Sequence, residues 1–447
     1  MSKGKKKLNL KIEVDDTSDT MSTSSMSTNN SSNDGISKIL AELDREEVEK
    51  QAQNLMRLIL EEGNSENFKN FLKLSKPLAI EIILEKITED SRYSREIREI
   101  FENSLIEKRI GKVKNRPVKL FSNKDEGVTE GRFVKKDLQN NELPSLKHST
   151  TWLEKIGGIS GRRNIGEEIC EYIGTNLMNQ LLDKNSPKIR LYKDNQGNVR
   201  LMSKFIQNFI PLESFDLINE KPFNGALGLT NFFAANILFA DYDTNIQNAG
   251  IRRDNLGDSH AARIDNGKAL SYKKVKRPKD YDSNIFAEHN SNIEPTEDIV
   301  IGNIFRAKVY SGVFDNIDMA NELLNLSNSL NINKLRKVIK LSLDNIEEAY
   351  GSDILSNPAI LQELRERMEF PENITINRQV LENAIIENIQ FMNNIIRIYA
   401  EKQVQKNTGI NNNSNKENIH QSNNNSNNQH FQRIALRNIT NEDRSLK

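Results

Sequence analysis

The sequence has little of the chemistry that secreted or zinc-bound domains rely on. It contains one cysteine, Cys170, and five histidines in 447 residues. One cysteine excludes an internal disulfide framework and favours a reducing compartment. So few thiols and imidazoles make a structural zinc site unexpected.

The chain also lacks an excess of charge of either sign, since 63 Lys and Arg side chains are balanced by 63 Asp and Glu. A neutral protein has no global field that draws it to nucleic acid or to a membrane surface. Such attraction would need a local basic patch. No nucleic-acid partner is expected.

Long hydrophobic runs are missing as well. The most apolar segment, residues 226–240, is interrupted by Asn231 and Asn236 and is shorter than the roughly 20 residues that span a bilayer. The first residues, MSKGKKKLNLKIEVDD, are basic and then polar, without an apolar core before a cleavage site. We therefore predict a soluble chain without a signal peptide.

The two ends have the composition of disordered tails. Residues 1–35 are rich in Ser, Thr, Asn and Asp, and residues 403–447 are dominated by Asn. Such segments cannot bury enough apolar surface to offset the entropy of ordering. Between them, residues 36–115 carry apolar residues at steps of three and four, which predicts a helical N-terminal region.

The texture changes at residue 116. PVKLF, GRFVKK and TTWLEKI read as strands, the segment from Asn164 to Leu182 as a helix, and KIRLY with NVRLMSKF as a hairpin. After residue 209 the pattern is mostly helical, with a helix at Ala226–Phe239 that is rich in apolar residues on all sides and two short strands at Ala249–Arg252 and Ala261–Asp265. The order predicts an α+β fold with a β-rich lobe, residues 116–209, and a helical lobe, residues 210–402.

Three oxygen-bearing side chains in residues 239–270 carry the chemistry. Asp243 is followed five residues later by Asn248, and Asp265 stands after the second short strand. Phosphoryl transfer needs a group that positions the attacking hydroxyl and oxygen ligands that hold Mg²⁺ against the phosphates. We predict that Asp243 orients or deprotonates the acceptor hydroxyl, and that Asn248 and Asp265 bind metal.

These residues resemble the catalytic and metal loops of the protein-kinase-like superfamily. Within it, Asp243–Asn248 and Ile264–Gly267 are most similar to the D-R-H-x-x-N and I-D-F-G motifs of phosphatidylinositol 3-/4-kinases, including secreted rickettsial members. Two positions depart from the pattern, because Asn245 stands in place of the histidine and Asn266 in place of the phenylalanine. The missing histidine bears on lipid specificity more than on phosphotransfer.

The resemblance implies a bilobal kinase-like fold that uses ATP and Mg²⁺, with Mn²⁺ as an alternative. It implies a strand lysine paired with a helix glutamate, for which Lys155 and Glu168 are the preferred residues. Lys135 and Glu167 are the alternatives. Met202 and Ser203 fall where a hinge would contact adenine.

A basic segment follows the metal loop. Lys273, Lys274, Lys276 and Arg277 lie where related lipid kinases read the inositol headgroup. Clustered lysines attract anionic lipid, and the alternatives are a solvated loop or a nucleic-acid patch. The expected partner is a phosphoinositide headgroup at a membrane surface, and the resemblance implies a bacterial effector in the host cytoplasm, bound peripherally to membrane. The helical flanks could contact a host protein.

Two other function classes stay open. One is a protein Ser/Thr kinase or HipA-like kinase that uses the same residues, although no H-R-D or A-P-E pattern is present. The other is a non-catalytic pseudokinase module, against which the retained Asp243, Asn248 and Asp265 speak.

Overall fold

The structure is a computed structural model. It describes residues 46–59, 66–75, 77–89, 95–115, 118–123, 131–136, 152–155, 164–194, 196–217, 220–254, 256–277, 295–305, 310, 317–368, 370 and 374–408. The chain forms two compact units, Met1–Glu47 and Val48–Lys447. Only residues 46 and 47 of the first are described, so the second unit is the subject below.

The second unit begins with four helices that share a small core. They are α1 (residues 48–59), α2 (Glu66–Leu74), α3 (Pro77–Glu89) and α4 (Arg95–Ile110). Their apolar faces meet around Phe68 and Phe101, whose rings pack edge to face with centroids 5.6 Å apart. The helical character predicted here is present in the described residues.

Helix α4 also contributes to the main core. Ile106 and Ile110 at its C-terminal end belong to the same buried cluster as the helices that follow. Just beyond the helix, the main-chain carbonyl of Gly111 accepts a hydrogen bond from the Asn345 side chain over 2.9 Å. The predicted boundary at residue 115 thus lies beyond an element that packs into both cores.

A six-stranded sheet comes next, in the order β1-β5-β6-β4-β3-β2. All neighbouring strands are antiparallel except β1 and β5. The strands are β1 (Lys114–Asn115), β2 (Val118–Asn123), β3 (Gly131–Lys136), β4 (Trp152–Lys155), β5 (Ile189–Lys193) and β6 (Val199–Lys204). The five predicted strand segments of this region all correspond to strands of this sheet.

Helix α5 (Ile165–Leu182) lies between β4 and β5 in sequence. Asn164 caps its start by accepting a hydrogen bond from the Glu167 amide, an ordinary N-cap role. Gly174 allows a close approach, because a Cβ at that position would lie 2.3 Å from the Ala269 Cβ. The helix is therefore pressed against the segment that follows Asp265.

The second sheet is three-stranded and antiparallel, in the order β7-β8-β9. It consists of β7 (Phe209–Pro211), β8 (Ala249–Arg253) and β9 (Ser259–Arg263), and helix α6 (Leu229–Leu238) precedes β8. Helix α6 is buried on nearly every side, as its largely apolar sequence predicts. Gly250 fits against the neighbouring strand, since a Cβ there would lie 2.2 Å from the Ile210 carbonyl oxygen.

The rest of the described chain is helical. The elements are α7 (Tyr272–Val275), α8 (Glu297–Ile304), α9 (Ile317–Ser329), α10 (Ile332–Tyr350), α11 (Pro358–Arg367) and α12 (Arg378–Thr408). Helix α12 runs past residue 402, where the sequence placed the start of a tail. The architecture is mixed and mostly helical, with two small sheets.

Several sequence predictions fall outside the described residues. These are the tail at 1–35 and the part of the C-terminal tail beyond 408. Within the described part of the chain, no helix is both long and apolar enough to cross a bilayer.

Candidate active site

The base of the β8–β9 hairpin brings Asn248 and Asp265 into neighbouring positions. Ala249 and Arg263 are the first register pair, and just below them the Ile264 amide donates to the Asn248 carbonyl over 2.8 Å. Asn248 is thus at the start of one strand and Asp265 just past the end of the other. The hairpin converts a separation of seventeen positions in sequence into adjacency.

Asp243 is oriented by the amides of two asparagines. Asn245 Nδ2 donates to Asp243 Oδ1 over 2.8 Å, and Asn248 Nδ2 donates to Asp243 Oδ2 over 3.0 Å. Each carboxylate oxygen therefore has a neutral donor that fixes its direction. Asn245, which stands where the D-R-H-x-x-N motif has its histidine, contacts the predicted catalytic carboxylate directly.

The loop that carries Asp243 is fixed from below. Asn245 Oδ1 accepts hydrogen bonds from the amides of Gln247 and Asn248, both over 2.9 Å, which closes a tight turn. The Thr244 hydroxyl donates to the Ile304 carbonyl, and the Tyr310 hydroxyl donates to the Thr244 carbonyl. A short polar loop is thus held by a buried part of the helical region.

Asp265 has a left-handed backbone, with φ 55°. Few residues other than glycine take this conformation without local support. Here the support is a turn, since Asp265 Oδ1 accepts a hydrogen bond from the Gly267 amide over 3.2 Å. The same oxygen contacts Lys155 Nζ at 2.7 Å.

Lys155 lies at the end of β4 and joins two carboxylates. Its Nζ is 2.6 Å from Glu171 Oε1 and 2.7 Å from Asp265 Oδ1. The predicted partner, Glu168, is one helical turn earlier in α5 and instead accepts from the Tyr350 hydroxyl over 2.8 Å. The alternative, Glu167, pairs with Lys268. The strand-lysine to helix-glutamate pair exists, but its glutamate is Glu171 and not Glu168.

The three charged groups shift one another's pKa values. Burial raises the pKa of Glu171 to about 7, although Lys155 opposes the shift. Burial alone would raise the pKa of Asp265 too, but the charge of Lys155 and hydrogen bonds lower it to about 2. Burial would lower the pKa of Lys155, yet Asp265 and Glu171 raise it above its ordinary value. At neutral pH, Asp265 is therefore an anion beside a cation.

Arg263, at the end of β9, lies beneath both loops with 0% side-chain exposure. One of its terminal nitrogens, Nη2, lies 2.7 Å from Asp241 Oδ1 and donates to the main-chain carbonyls of Asp243 over 3.2 Å and of Asp265 over 3.4 Å. The two loops consequently share one buried guanidinium.

The segment after Asp265 is held by contacts from α11. Arg367 Nη1 donates to the carbonyls of Gly267 and Ala269, both over 2.9 Å, while its Nε donates to Glu363 over 2.6 Å. Arg367 is nearly buried. The loop that carries Asp265 is thus held by hydrogen bonds at its end as well as at its beginning.

The predicted adenine-contacting residues lie within β6, not in a hinge. In the antiparallel register Met202 pairs with Glu154, and Leu201 pairs with Lys155. Paired residues share a face, so the Met202 side chain is on the opposite face from Lys155. It is buried in a cluster with Trp152 and Tyr192. Ser203 is on the same face as Lys155. A ligand on that face could contact Ser203 but not the Met202 side chain.

Lys135, the alternative to Lys155, is in β3 and pairs in register with Lys119 of β2. Among the described contacts, the one to Asp265 from this sheet comes from Lys155. Lys155 is therefore the lysine that the structure joins to the other predicted site residues.

The basic segment is divided by the fold. Lys276 Nζ donates to Asn388 Oδ1 over 2.8 Å and lies 4.4 Å from the Phe391 ring centroid, so it is directed at α12. Lys274 is exposed and lies 3.9 Å from the centroid of Tyr242, the residue before Asp243. Lys273 and Arg277 are half-buried. Of the four predicted substrate residues, Lys274 contacts the residue that precedes Asp243, and Lys276 is directed at α12.

His260, a histidine close in sequence to Asp265, lies in β9. Its ring nitrogen Nε2 is 3.0 Å from Asp254 Oδ2, near the hairpin tip. Its register partner is Arg252, whereas the site lies beyond the Ala249 and Arg263 pair. His260 therefore does not replace the absent histidine.

The oxygen atoms at the base of the hairpin suit a hard divalent cation. In the described residues, both hydrogen bonds to the Asp265 carboxylate use Oδ1, and Asn248 uses its amide nitrogen toward Asp243. The Asp265 side chain is 37% exposed. Carboxylate and amide oxygens with access to solvent are ligands that Mg²⁺ accepts together with phosphates and water. Three or more His, Cys, Asp or Glu side chains that could hold a metal by themselves do not cluster among the described residues.

The sequence pattern did not identify Glu171 or Arg263 as site residues, and it did not predict that Asn266 is buried. Glu171 follows Glu168 by three positions, so both glutamates lie on one side of the helix and spacing alone cannot choose between them. Arg263 did leave a signal, because it is a charged residue that follows two alanines at the end of a strand, two positions before Asp265.

No protein-family model matches the sequence, and no curated protein matches it. Among solved structures, the chain is similar to the crystal structure of a Helicobacter pylori proinflammatory kinase, CtkA, with 13% sequence identity and a TM-score of 0.36. The match covers 65% of this chain and 98% of that chain. A TM-score of this size describes a distant likeness.

Proposed function

We propose that the chain is an ATP- and Mg²⁺-dependent phosphotransferase with a bilobal kinase-like arrangement of the six-stranded sheet and the helical region. The observation that carries the proposal is the shared guanidinium of Arg263, which contacts the main-chain oxygens of both Asp243 and Asp265. The two main-chain segments that carry the predicted carboxylates therefore share one buried donor, which supports their acting on one nucleotide.

Each side chain has a role that its contacts support. Asp243 is the group that receives or orients the acceptor hydroxyl, with both carboxylate oxygens aimed by asparagine amides. Asn248 and Asp265 would hold Mg²⁺, which neutralises phosphate charge when bound. Lys155 is the cation for the nucleotide phosphates, kept charged by Glu171 and Asp265.

Lys155 fits the phosphate role because it is not fully buried. Its side chain is 13% exposed, and its two carboxylate partners anchor it without enclosing it. A lysine ammonium has three donors, so it can keep Glu171 and still donate to a phosphate. Glu171 thus keeps the lysine in place while its other contact changes.

The first test is nucleotide binding. We expect Mg²⁺ with ATP to raise the melting temperature of the wild-type protein, and the rise to grow with ATP concentration as mass action requires. Asp243→Ala should keep the melting shift and lose most of the turnover of radiolabelled ATP, because the metal and phosphate ligands remain. Wild-type protein that gives no shift with Mg²⁺ and ATP would sink the proposal and favour a non-catalytic module.

The substrate that the surroundings of Asp243 favour is an anionic lipid headgroup. Lys274 is exposed beside Tyr242, and Lys273 precedes it in the same short helix. Cationic side chains on this helix, one of them against the residue before Asp243, would attract a phosphoinositide at a membrane surface, by about 1 kcal/mol for each charge.

Charge reversal tests the lipid substrate. Lys273→Glu with Lys274→Glu should reduce phosphorylation of phosphatidylinositol in acidic liposomes while ATP binding is retained. The matched control is Lys69→Glu with Lys73→Glu, two exposed lysines of α2 that make the same change in net charge. Equal loss in both double variants would mean that bulk charge, and not this helix, is responsible.

A protein hydroxyl is the second candidate substrate, and Asn245 favours it. Related lipid kinases carry a histidine at this position, whereas Asn245 is an amide that cannot take up a proton at neutral pH. Incubation with labelled ATP, liposomes and a generic protein substrate separates the two. Label found in protein alone would remove the lipid proposal and leave the phosphotransferase proposal intact.

A further inference from the structure

A fully buried polar cluster lies beneath the two loops of the site. We call it the Arg263 cluster, and its members are Thr175, Ser186, Asn236, Asp241, Arg263 and Asn266. All six have at most 2% exposure. Polar groups so far from water are costly unless their hydrogen bonds are made.

Arg263 is the centre of this cluster. Its Nε donates to Asn266 Oδ1 over 2.8 Å, and its Nη1 donates to Asn236 Oδ1 over 2.7 Å. Its third nitrogen, Nη2, contacts Asp241 and the two loop carbonyls. A planar guanidinium places these partners in fixed directions, which an ammonium cannot do.

Asn266 connects the same loop to α5. Its amide nitrogen donates to Thr175 Oγ1 over 3.2 Å and to Ser186 Oγ over 3.3 Å. Asp241 adds a link on the other side, since its Oδ1 accepts from the Asp243 amide over 3.1 Å. The loop with Asp243 and the loop with Asp265 are therefore tied to one another and to the helix that carries Glu171.

We propose that Arg263 and Asn266 are positioning residues that fix the separation of the Asp243 and Asp265 carboxylates. This inference rests on the proposed phosphotransferase function. Neither side chain is accessible to substrate, so each acts through the loops. A displacement of about 1 Å at a catalytic group can lower a rate roughly 100-fold.

The amide of Asn266 also limits how the loop that carries Asp265 can move. An apolar side chain at this position would pack by shape alone, whereas the amide has three directional partners on three elements. Movement of the metal loop away from the site would break all three hydrogen bonds together. The structure thus assigns this loop a single position in which Asp265 stays at Lys155.

The test compares Asn266→Leu with a matched control. Leucine is close to asparagine in size and removes the amide contacts. Asn345→Leu is the control. Asn345 in α10 is a buried amide, 7% exposed, and its side chain donates to the Tyr172 hydroxyl and to the Gly111 carbonyl. Both variants should lose melting temperature. Arg263→Lys provides a second variant that keeps the charge beside Asp241 but loses the planar fork.

Two readouts separate positioning from ordinary stabilisation. Below the melting transition, Asn266→Leu and Arg263→Lys should lower kcat roughly 100-fold and raise the Mg²⁺ concentration needed for half-maximal rate, while Asn345→Leu should change neither. Hydrogen exchange should show lost protection of the Asp243 and Gly267 amides in the first two variants, with the β8–β9 amides unchanged.

The outcomes are distinct. Unchanged exchange at Asp243 and Gly267 in both site variants overturns the inference, whatever the activity. Faster exchange with wild-type kcat and Mg²⁺ dependence also overturns it, because the loops would then be free to move without effect. If wild-type protein fails to bind Mg²⁺ with ATP, the proposed function and this positioning role fail together, and the exchange data still report whether the cluster couples the loops.

Discussion

Two basic side chains hold the chain around Asp265, and they do so in opposite ways. Lys155 contacts the carboxylate of Asp265 and is 13% exposed. Arg263 contacts the main-chain carbonyl of Asp265 and is 0% exposed. Lys155 can exchange one partner for a ligand, but the partners of Arg263 are enclosed. The difference separates an adjustable half of the site from a fixed half.

The same difference is visible in the acids that face these cations. Glu171, beside Lys155, has a pKa near neutrality, at about 7, so its charge can change within the physiological range. Asp241, beside Arg263, is fully buried, and its contacts are to Arg263 and to the Asp243 amide. The adjustable half can respond to ligands and pH, and the fixed half is built to keep the geometry.

Asp265→Ala is the largest expected change, because it removes the one residue common to both halves. We expect turnover to fall by more than roughly 100-fold, since a direct metal ligand should matter more than its outer partners. The fold should persist because Arg263 contacts the main chain at this position. Steady-state kinetics with circular dichroism would check both statements, and turnover near the wild-type level would remove Asp265 from the metal site.

Lys155→Met should have the next largest effect and be confined to the adjustable half. It leaves Glu171 and Asp265 without their cation, and ATP affinity should fall by about 10- to 100-fold, the equivalent of a charge-assisted hydrogen bond. Titration calorimetry with ATP and Mg²⁺ measures this. Lys135→Met is the control, and a larger loss in the control would reverse the choice between the two lysines.

Asn245→His tests the residue that orients Asp243. The substitution introduces the histidine of the D-R-H-x-x-N motif, and an imidazole with an ordinary pKa of about 6.5 adds a titrating group next to the carboxylate. We expect kcat to gain a pH dependence in that range, with a smaller change at pH 8. A pH profile identical to the wild type would mean that the side chain at 245 does not reach the reacting groups.

Glu171→Gln gives the smallest expected effect and concerns stability. The pKa of Glu171 is raised from 4.5 to about 7, so between these values the folded state holds a proton that the unfolded state has released. Its contribution therefore destabilises the protein as pH rises from 4.5 to 7. The melting temperature of the variant should fall less, or rise more, than that of the wild type across this range. Parallel curves would show that Glu171 titrates elsewhere.

The sequence predicted those parts of the site that local pattern controls. The turn at Asp243–Asn248, the two short strands and the position of Asp265 follow from spacing within one continuous segment. Helix α5 was predicted from its apolar period. These features depend on residues that are close together in the sequence, which is why the sequence alone predicts them.

What could not be read depends on rotation and on distant partners. The choice between Glu168 and Glu171 depends on how α5 turns against β4, and that turn is set partly by Gly174 against Ala269. Met202 was assigned to a hinge because strand ends are poorly defined by pattern, and the register with Glu154 places its side chain on the other face. The commitment of Lys276 to α12 joins residues more than a hundred positions apart.

The dual packing of helix α4 has a practical consequence for producing this protein. Ile106 and Ile110 fill the interior shared with the active-site elements, and Arg190 donates to the carbonyl of Arg109 over 2.9 Å. A truncated version that starts at residue 116 would leave a hydrophobic trough open to solvent and should aggregate on expression. A version that starts ahead of Arg95 would retain the closing helix.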